Sequence, residues 1–283
     1  MDPSPLTIDA AGPPAERLPR AAIVCVAGGL MLIPAFVHLE LPGRYWGPIH
    51  FGGFFGTIWG QVTTAAVWCA LRPGSWTARV RGAAGWLVAV AAAVSLGARS
   101  AYEPLDVALN ITLAIAGLWL LLQPPLLVLR RGFGVRLSRH TADIGPRAPL
   151  QFGVRHLLIF TTVIAGLLGL GRVLVALLAS TDRSSQDLLG IVQLTLGALF
   201  SGLPLALAVF IRRYGFLCLA VALAFGALVI VLERKWMQDW QFGPDPEVFW
   251  AATFVFQSAW LLLLGGILRA HGYRCVRVAG VER

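Results

Sequence analysis

"FGGFFGTIWGQVTTAAVWCAL", residues 51–71, carries no charged side chain from end to end. About 20 mostly apolar residues, rising roughly 1.5 Å each as a helix, cross the roughly 30 Å of hydrocarbon in a bilayer. The run lacks the two-residue alternation of a barrel strand, and lipid offers its backbone no hydrogen-bond partner, so it reads as a transmembrane helix. Gly52, Gly56 and Gly60 recur four apart. That spacing lines them along one side as a flat ridge where another helix backbone can come close, either within the same chain or in a second copy.

The rest of the chain is built in the same way. Of its 283 residues 57% are hydrophobic and only 13% are charged, with a mean hydropathy of +0.74. Soluble domains carry about 25% charge, so a water-soluble fold is excluded. Apolar runs at 21–39, 51–71, 82–98, 105–129, 157–179, 188–211, 216–232 and 248–268 predict an all-α, polytopic transmembrane helix bundle of about eight spans. The run at 82–98 is the shortest and richest in alanine, and needs help from its flanks or neighbours. Residues 1–20 form a Pro- and Ala-rich polar tail. They resemble a signal peptide only superficially, because no clear cleavage site precedes a soluble domain.

Charge placement orients these spans. With the N-terminus in the cytoplasm, the outer side keeps only Arg44, Arg99, Arg172, Arg183, Arg234 and Lys235 of the 23 basic residues, together with most of the acids. Such sorting follows the positive-inside rule and puts both termini in the cytoplasm, in a cell inner (cytoplasmic) membrane. The expected organisation is a tail at 1–20, a first four-helix group at 21–129, a flexible basic linker at 130–155, a second four-helix group at 156–268 and a cytoplasmic tail at 269–283. The net charge of +9 therefore reports topology, because the arginines flank apolar spans and are not gathered on one polar domain. The expected partners are the lipid bilayer and other membrane proteins or a second copy of the chain. Nucleic acid is not expected.

Candidate functional residues are few and mostly uncharged. Asn110, Gln123 and Gln193 lie in spans that also contain Pro124, Pro125 and Pro204. Prolines remove backbone donors and kink or break a helix, and paired broken helices with amides nearby can form a polar cavity for a small solute. Packing kinks and helix-to-helix hydrogen bonds explain the same residues without a substrate. The trio His38, Glu40 and His50 offers ligand types but no third strong ligand at a fixed spacing, so no metal site is assigned. No HExxH, GxSxG or P-loop occurs, and no catalytic residue or cofactor is assigned. Cys25, Cys69, Cys218 and Cys275 show no metal-site spacing and read as inert thiols.

The run from Arg155 to Arg172, within "QFGVRHLLIFTTVIAGLLGLGR" at 151–172, poses a separate question. Its length allows both guanidiniums to reach opposite interfaces along their own stems. Apolar sequence continues past Arg172, however. Arg172 is therefore either an outer anchor paired with Asp182 or Asp187, or a charge held within the bilayer for a purpose. Spans three and four share features with spans five and six, as a duplicated hairpin would or as two hairpins under one topology rule would.

The segment "FGVRHLLIFTTVIA", 152–165, resembles a cytoplasmic entry of the style FSLRxLLxxTTVVA found in uncharacterised multi-pass membrane proteins of planctomycete bacteria. "GYRC", 272–275, is similar to the GYRL that closes their last span, with Cys275 in place of leucine. The resemblance covers mainly residues 151–277. It implies membrane location and helical architecture, and attaches no activity. The readings of function that follow are a non-enzymatic membrane component, a small-solute transporter using the Pro-interrupted spans four and six, and, third, an intramembrane enzyme.

Overall fold

The computed structural model describes residues 18–38, 46–100, 105–132, 134–138 and 246–277, together with helical positions among residues 197–227, chiefly 201–206. Their elements are α1 (Arg20–His38), α2 (Trp46–Leu71), α3 (Trp76–Ser100), α4 (Leu105–Gly132), β1 (Val135–Ser138), α5 (Pro246–Ala270) and β2 (Arg274–Arg277). Among the described residues, four helices are long and apolar enough to cross a membrane: α2, α3, α4 and α5. The apolar part of α1 is shorter, Arg20–Ala35. The spans expected at 157–179, most of 188–211 and 216–232 lie outside the described residues.

The core is arranged around α2. Every residue from 52 to 71 is buried, and the other helices pack around it. Those surrounding helices keep one face outward that remains apolar, with Val88, Leu96, Leu113, Leu120, Val255 and Leu263 all more than half exposed. A water-soluble domain would cover such rows. Exposed in bulk on several helices, they are the faces expected to meet lipid.

Three details differ from the sequence reading. First, α3 begins at Trp76 and not near residue 82, because Ser75 caps it: the Ser75 Oγ accepts from the Ala78 amide at 3.4 Å, and the Ser75 carbonyl accepts from the Arg79 amide at 3.2 Å. The added turn carries Arg79 and Arg81 onto the helix and lengthens the short span. Second, α4 is not broken at Pro124 and Pro125 but runs as one helix through both. Packing against α2 and α3 holds it together where the backbone donors are missing. Third, two segments read as linker and tail contain strands. β1 and β2 pair antiparallel, with Val135 opposite Arg277 and Leu137 opposite Cys275. The ribbon turns Val135 and Leu137 inward, at 4% and 1% exposure. Four residues per strand are too few for a period to stand out in a sequence.

The entry into β2 is set by the end of α5. Gly272 has φ +87°, its amide donates to the Arg269 carbonyl, and the Tyr273 amide donates to the Leu268 carbonyl, each at 3.0 Å. This is a Schellman motif, and its positive φ is the reason a glycine precedes Tyr273 in "GYRC". Tyr273 is thereby swung back into the core, where its ring centre lies 5.4 Å from that of Trp68. The C-terminal ends of α2 and α5 therefore share one end of the bundle.

Cys275 is half-buried on the same ribbon face as Leu137, and that placement shapes its chemistry. Desolvation pushes its thiol from 9.0 up to about 12. The folded chain holds this proton more tightly than the unfolded one, so the contribution to stability is full below about pH 9 and fades as pH rises from 9 toward 12. In a variant keeping Cys275 as its sole thiol, maleimide labelling at pH 8 is expected to be slow in the folded protein and fast after unfolding in detergent. Rapid labelling of the folded protein would contradict the shielding of Cys275 by the ribbon.

Candidate functional site

The glycine ridge is covered by α5. A Cβ on Gly52 would stand 2.6 Å from the Phe249 carbonyl and 2.9 Å from the Thr253 amide, and one on Gly60 would stand 2.7 Å from Trp260. On Gly56 it would run into the Thr253 carbonyl, with Phe256 Cβ at 2.8 Å. Contacts advance together along both helices, so α2 and α5 run parallel. The seam is closed by shape: the indole N–H groups of Trp59, Trp250 and Trp260 are buried without acceptors. Polar side chains on it turn inward on their own helices, as Thr57 Oγ1 donates to the Gly53 carbonyl at 2.8 Å and Thr253 Oγ1 to the Phe249 carbonyl at 2.9 Å.

Two buried glutamines tie neighbouring helices together. Gln61 on α2 donates through Nε2 to the Val26 carbonyl of α1 at 3.3 Å and accepts at Oε1 from Trp86 Nε1 of α3 at 2.7 Å. Gln257 on α5 accepts from the Ser201 hydroxyl at 2.9 Å. Both amides are 1% exposed or less. Amides shielded from water in this way hold helices in register.

Arginines close the C-terminal end of α2. Arg79, only 7% exposed, donates from Nη1 to the carbonyls of Cys69 and Ala70 at 2.9 and 3.0 Å, and its guanidinium lies 5.2 Å from the Trp76 ring centre. Arg130 of α4 donates to the same Ala70 carbonyl at 2.7 Å and to that of Arg72 at 3.2 Å. The last carbonyls of a helix have no partner within it and carry partial negative charge, so two cations there satisfy both needs. In the sequence, Arg79 and Arg130 mark only the basic side of the apolar runs they flank. Their caps depend on three helices meeting, which no local pattern announces.

The residues singled out from sequence separate as follows. Gly52, Gly56 and Gly60 lie at the α2–α5 seam. Gln123 on α4 is 7% exposed, and both its amide atoms are buried without a hydrogen-bond partner. Asn110 lies on α4 with its side chain outside the described residues, and Gln193, Arg172, Asp182 and Asp187 lie outside them entirely. His50 is half-buried on α2, with no acceptor or donor at Nε2. Glu40 is outside the described residues, as is the side chain of His38. Among the described residues no three His, Cys, Asp or Glu side chains gather as metal ligands. A hollow there, between Thr64, Val67, Leu137, Ala206 and Leu261, has room for about one water molecule. No protein-family model, curated protein or solved structure matches the chain.

Proposed function

We propose that the chain is an eight-span protein of the cell inner membrane with both termini in the cytoplasm, and that it serves as a non-enzymatic membrane component. The topology rests on parity. α2, α4 and α5 finish at the end where Arg79 and Arg130 cap α2 and where β1 meets β2. α1 must run opposite to α2: Gln61 bonds to Val26, and the eight links from His38 to Trp46 reach at most about 29 Å. A parallel α1 would need about 40 Å. Residues 20 and 277 therefore belong to the same end, while the chain leaves Ser138 at that end and re-enters α5 at the other. An odd number of crossings between Ser138 and α5 agrees with this arrangement, and the proposal assigns them to the three apolar runs at 157–179, 188–211 and 216–232. Arg72, Arg81, Arg131, Arg136, Arg269 and Arg274 gather at the first end, and the acids Asp106 and Glu247 start α4 and α5 at the second. Reporter fusions at residues 1 and 283 are expected to be active on the cytoplasmic side, and an outward signal from either one would overturn this topology.

The observation that carries the non-enzymatic reading is the use made of buried polar groups: Gln61 and Gln257 are spent on bonds between helices. The transporter reading has one observation of its own, the unbonded Gln123 amide beside Pro124 and Pro125. The two readings diverge on Gln123→Leu. If the residue only packs, removing an unsatisfied buried amide raises stability by about 1–2 kcal/mol and leaves the phenotype of the gene intact. Thermal unfolding in detergent together with complementation of a deletion strain measures both. Loss of complementation by a stable Gln123→Leu protein would favour transport.

A further inference from the structure

We infer that Arg131 and Arg136, backed by the buried Arg79, form a binding site for the phosphate of an anionic phospholipid headgroup at the basic end of the bundle. The inference rests on the reading that the helices span a membrane.

Three cations at this end come from three elements: Arg79 on α3, Arg131 in the last turn of α4 and Arg136 on β1. The charges of Arg136 and Arg131 act repulsively on Arg79. Among the described residues of this end, at 18–20, 68–81, 128–132, 134–138 and 268–277, there is no Asp or Glu. The Nε–H groups of Arg79 and Arg136 are buried without an acceptor. Like charges brought to one partly dry end, with buried N–H groups lacking acceptors, become more favourable when an anion joins them.

The three residues are not equivalent. Arg79 is held by the Cys69 and Ala70 carbonyls and by Trp76, so it contributes a fixed charge from behind. Arg131 is exposed, and Arg136 is half-buried on the side of the ribbon opposite Val135 and Leu137. Their planar forks suit phosphate oxygens. Ser138 and Arg274 are paired across the ribbon and share that outer side with Arg136, so the positive surface continues beyond the site.

Depth selects the occupant. Arg131 closes the apolar stretch Ile111–Gly132, and Trp76, 48% exposed, opens Trp76–Leu96. Tryptophan at the end of a span marks the headgroup layer. A phosphate at that depth belongs to a lipid of the same leaflet, and one arginine near an anionic surface contributes roughly 1 kcal/mol, about fivefold in affinity.

The test uses the full chain in nanodiscs of phosphatidylcholine with or without phosphatidylglycerol. Native mass spectrometry is expected to show phosphatidylglycerol retained over phosphatidylcholine. In Arg131→Gln/Arg136→Gln this preference should fall about fivefold per arginine. It should persist in Arg20→Gln/Arg81→Gln, which removes the same charge from the same end. Millimolar inorganic phosphate added to phosphatidylcholine discs should not reproduce the thermal stabilisation given by phosphatidylglycerol. Equal preference in the two double variants, no preference in the unmodified chain, or full stabilisation by free phosphate would each overturn the site. Failure of the membrane reading itself would look different: the chain would stay dispersed in water without detergent.

Discussion

Gly56→Leu is expected to abolish the assembled bundle, and Gly56→Ala to destabilise it by about 2 kcal/mol. A methyl group on residue 56 runs into the Thr253 carbonyl and stands 2.8 Å from Phe256 Cβ and 3.0 Å from the Gln257 amide. Two of these three are backbone atoms, which cannot rotate aside, so α5 would have to move outward as a whole. That movement loosens the contacts along the seam, including the Phe55–Phe249 pair, whose ring centres lie 5.9 Å apart. Lipid tails are as apolar as the side chains involved, so close fit rather than escape from water holds helices together here. Gly28→Ala and Gly85→Ala provide the comparison, since a Cβ at either meets nothing within 4 Å. They are expected to melt close to the parent protein in detergent. If Gly56→Ala melted with them, the close α2–α5 seam would be wrong.

The second large effect is expected at the arginine cap. Arg79→Met should cost about 1.5–3 kcal/mol, the range for hydrogen bonds made by a charged donor, because it leaves the Cys69 carbonyl without that donor and removes a cation from the end of α2. Arg130→Met should cost a similar amount. Both residues donate to the Ala70 carbonyl, so their effects are coupled: once one is absent, the other still serves that oxygen. The double variant should therefore be destabilised by more than the sum of the two single effects, by about 1 kcal/mol. A double-mutant cycle on thermal unfolding measures this. Additive losses would mean that the two arginines act separately. Arg79→Lys should recover only part of the loss, because an ammonium does not reproduce the planar guanidinium held against Trp76.

Both effects concern features visible in the sequence only in outline. The spacing of Gly52, Gly56 and Gly60 announced a surface for close approach, but its partner is a helix nearly 200 positions away. Arg79 and Arg130 stood out as basic residues flanking apolar runs, and the carbonyls they cap belong to a third element. Gln123 was legible as a buried amide near two prolines. That α4 passes through those prolines unbroken was not.

Among the described residues, the chain by itself determined that apolar helices form and where α1, α4 and α5 start to within two residues, whereas α2 and α3 begin one to two turns earlier than the apolar runs suggest. Those properties follow from one segment at a time, since a bilayer requires each crossing to satisfy its own backbone and to be apolar along its length. Tertiary structure alone decided that α2 is the buried centre, that α5 lies along its glycines and that two short basic segments pair as strands. These outcomes depend on which surfaces fit one another across the whole fold, and apolar helices of similar composition carry no local mark of their neighbours.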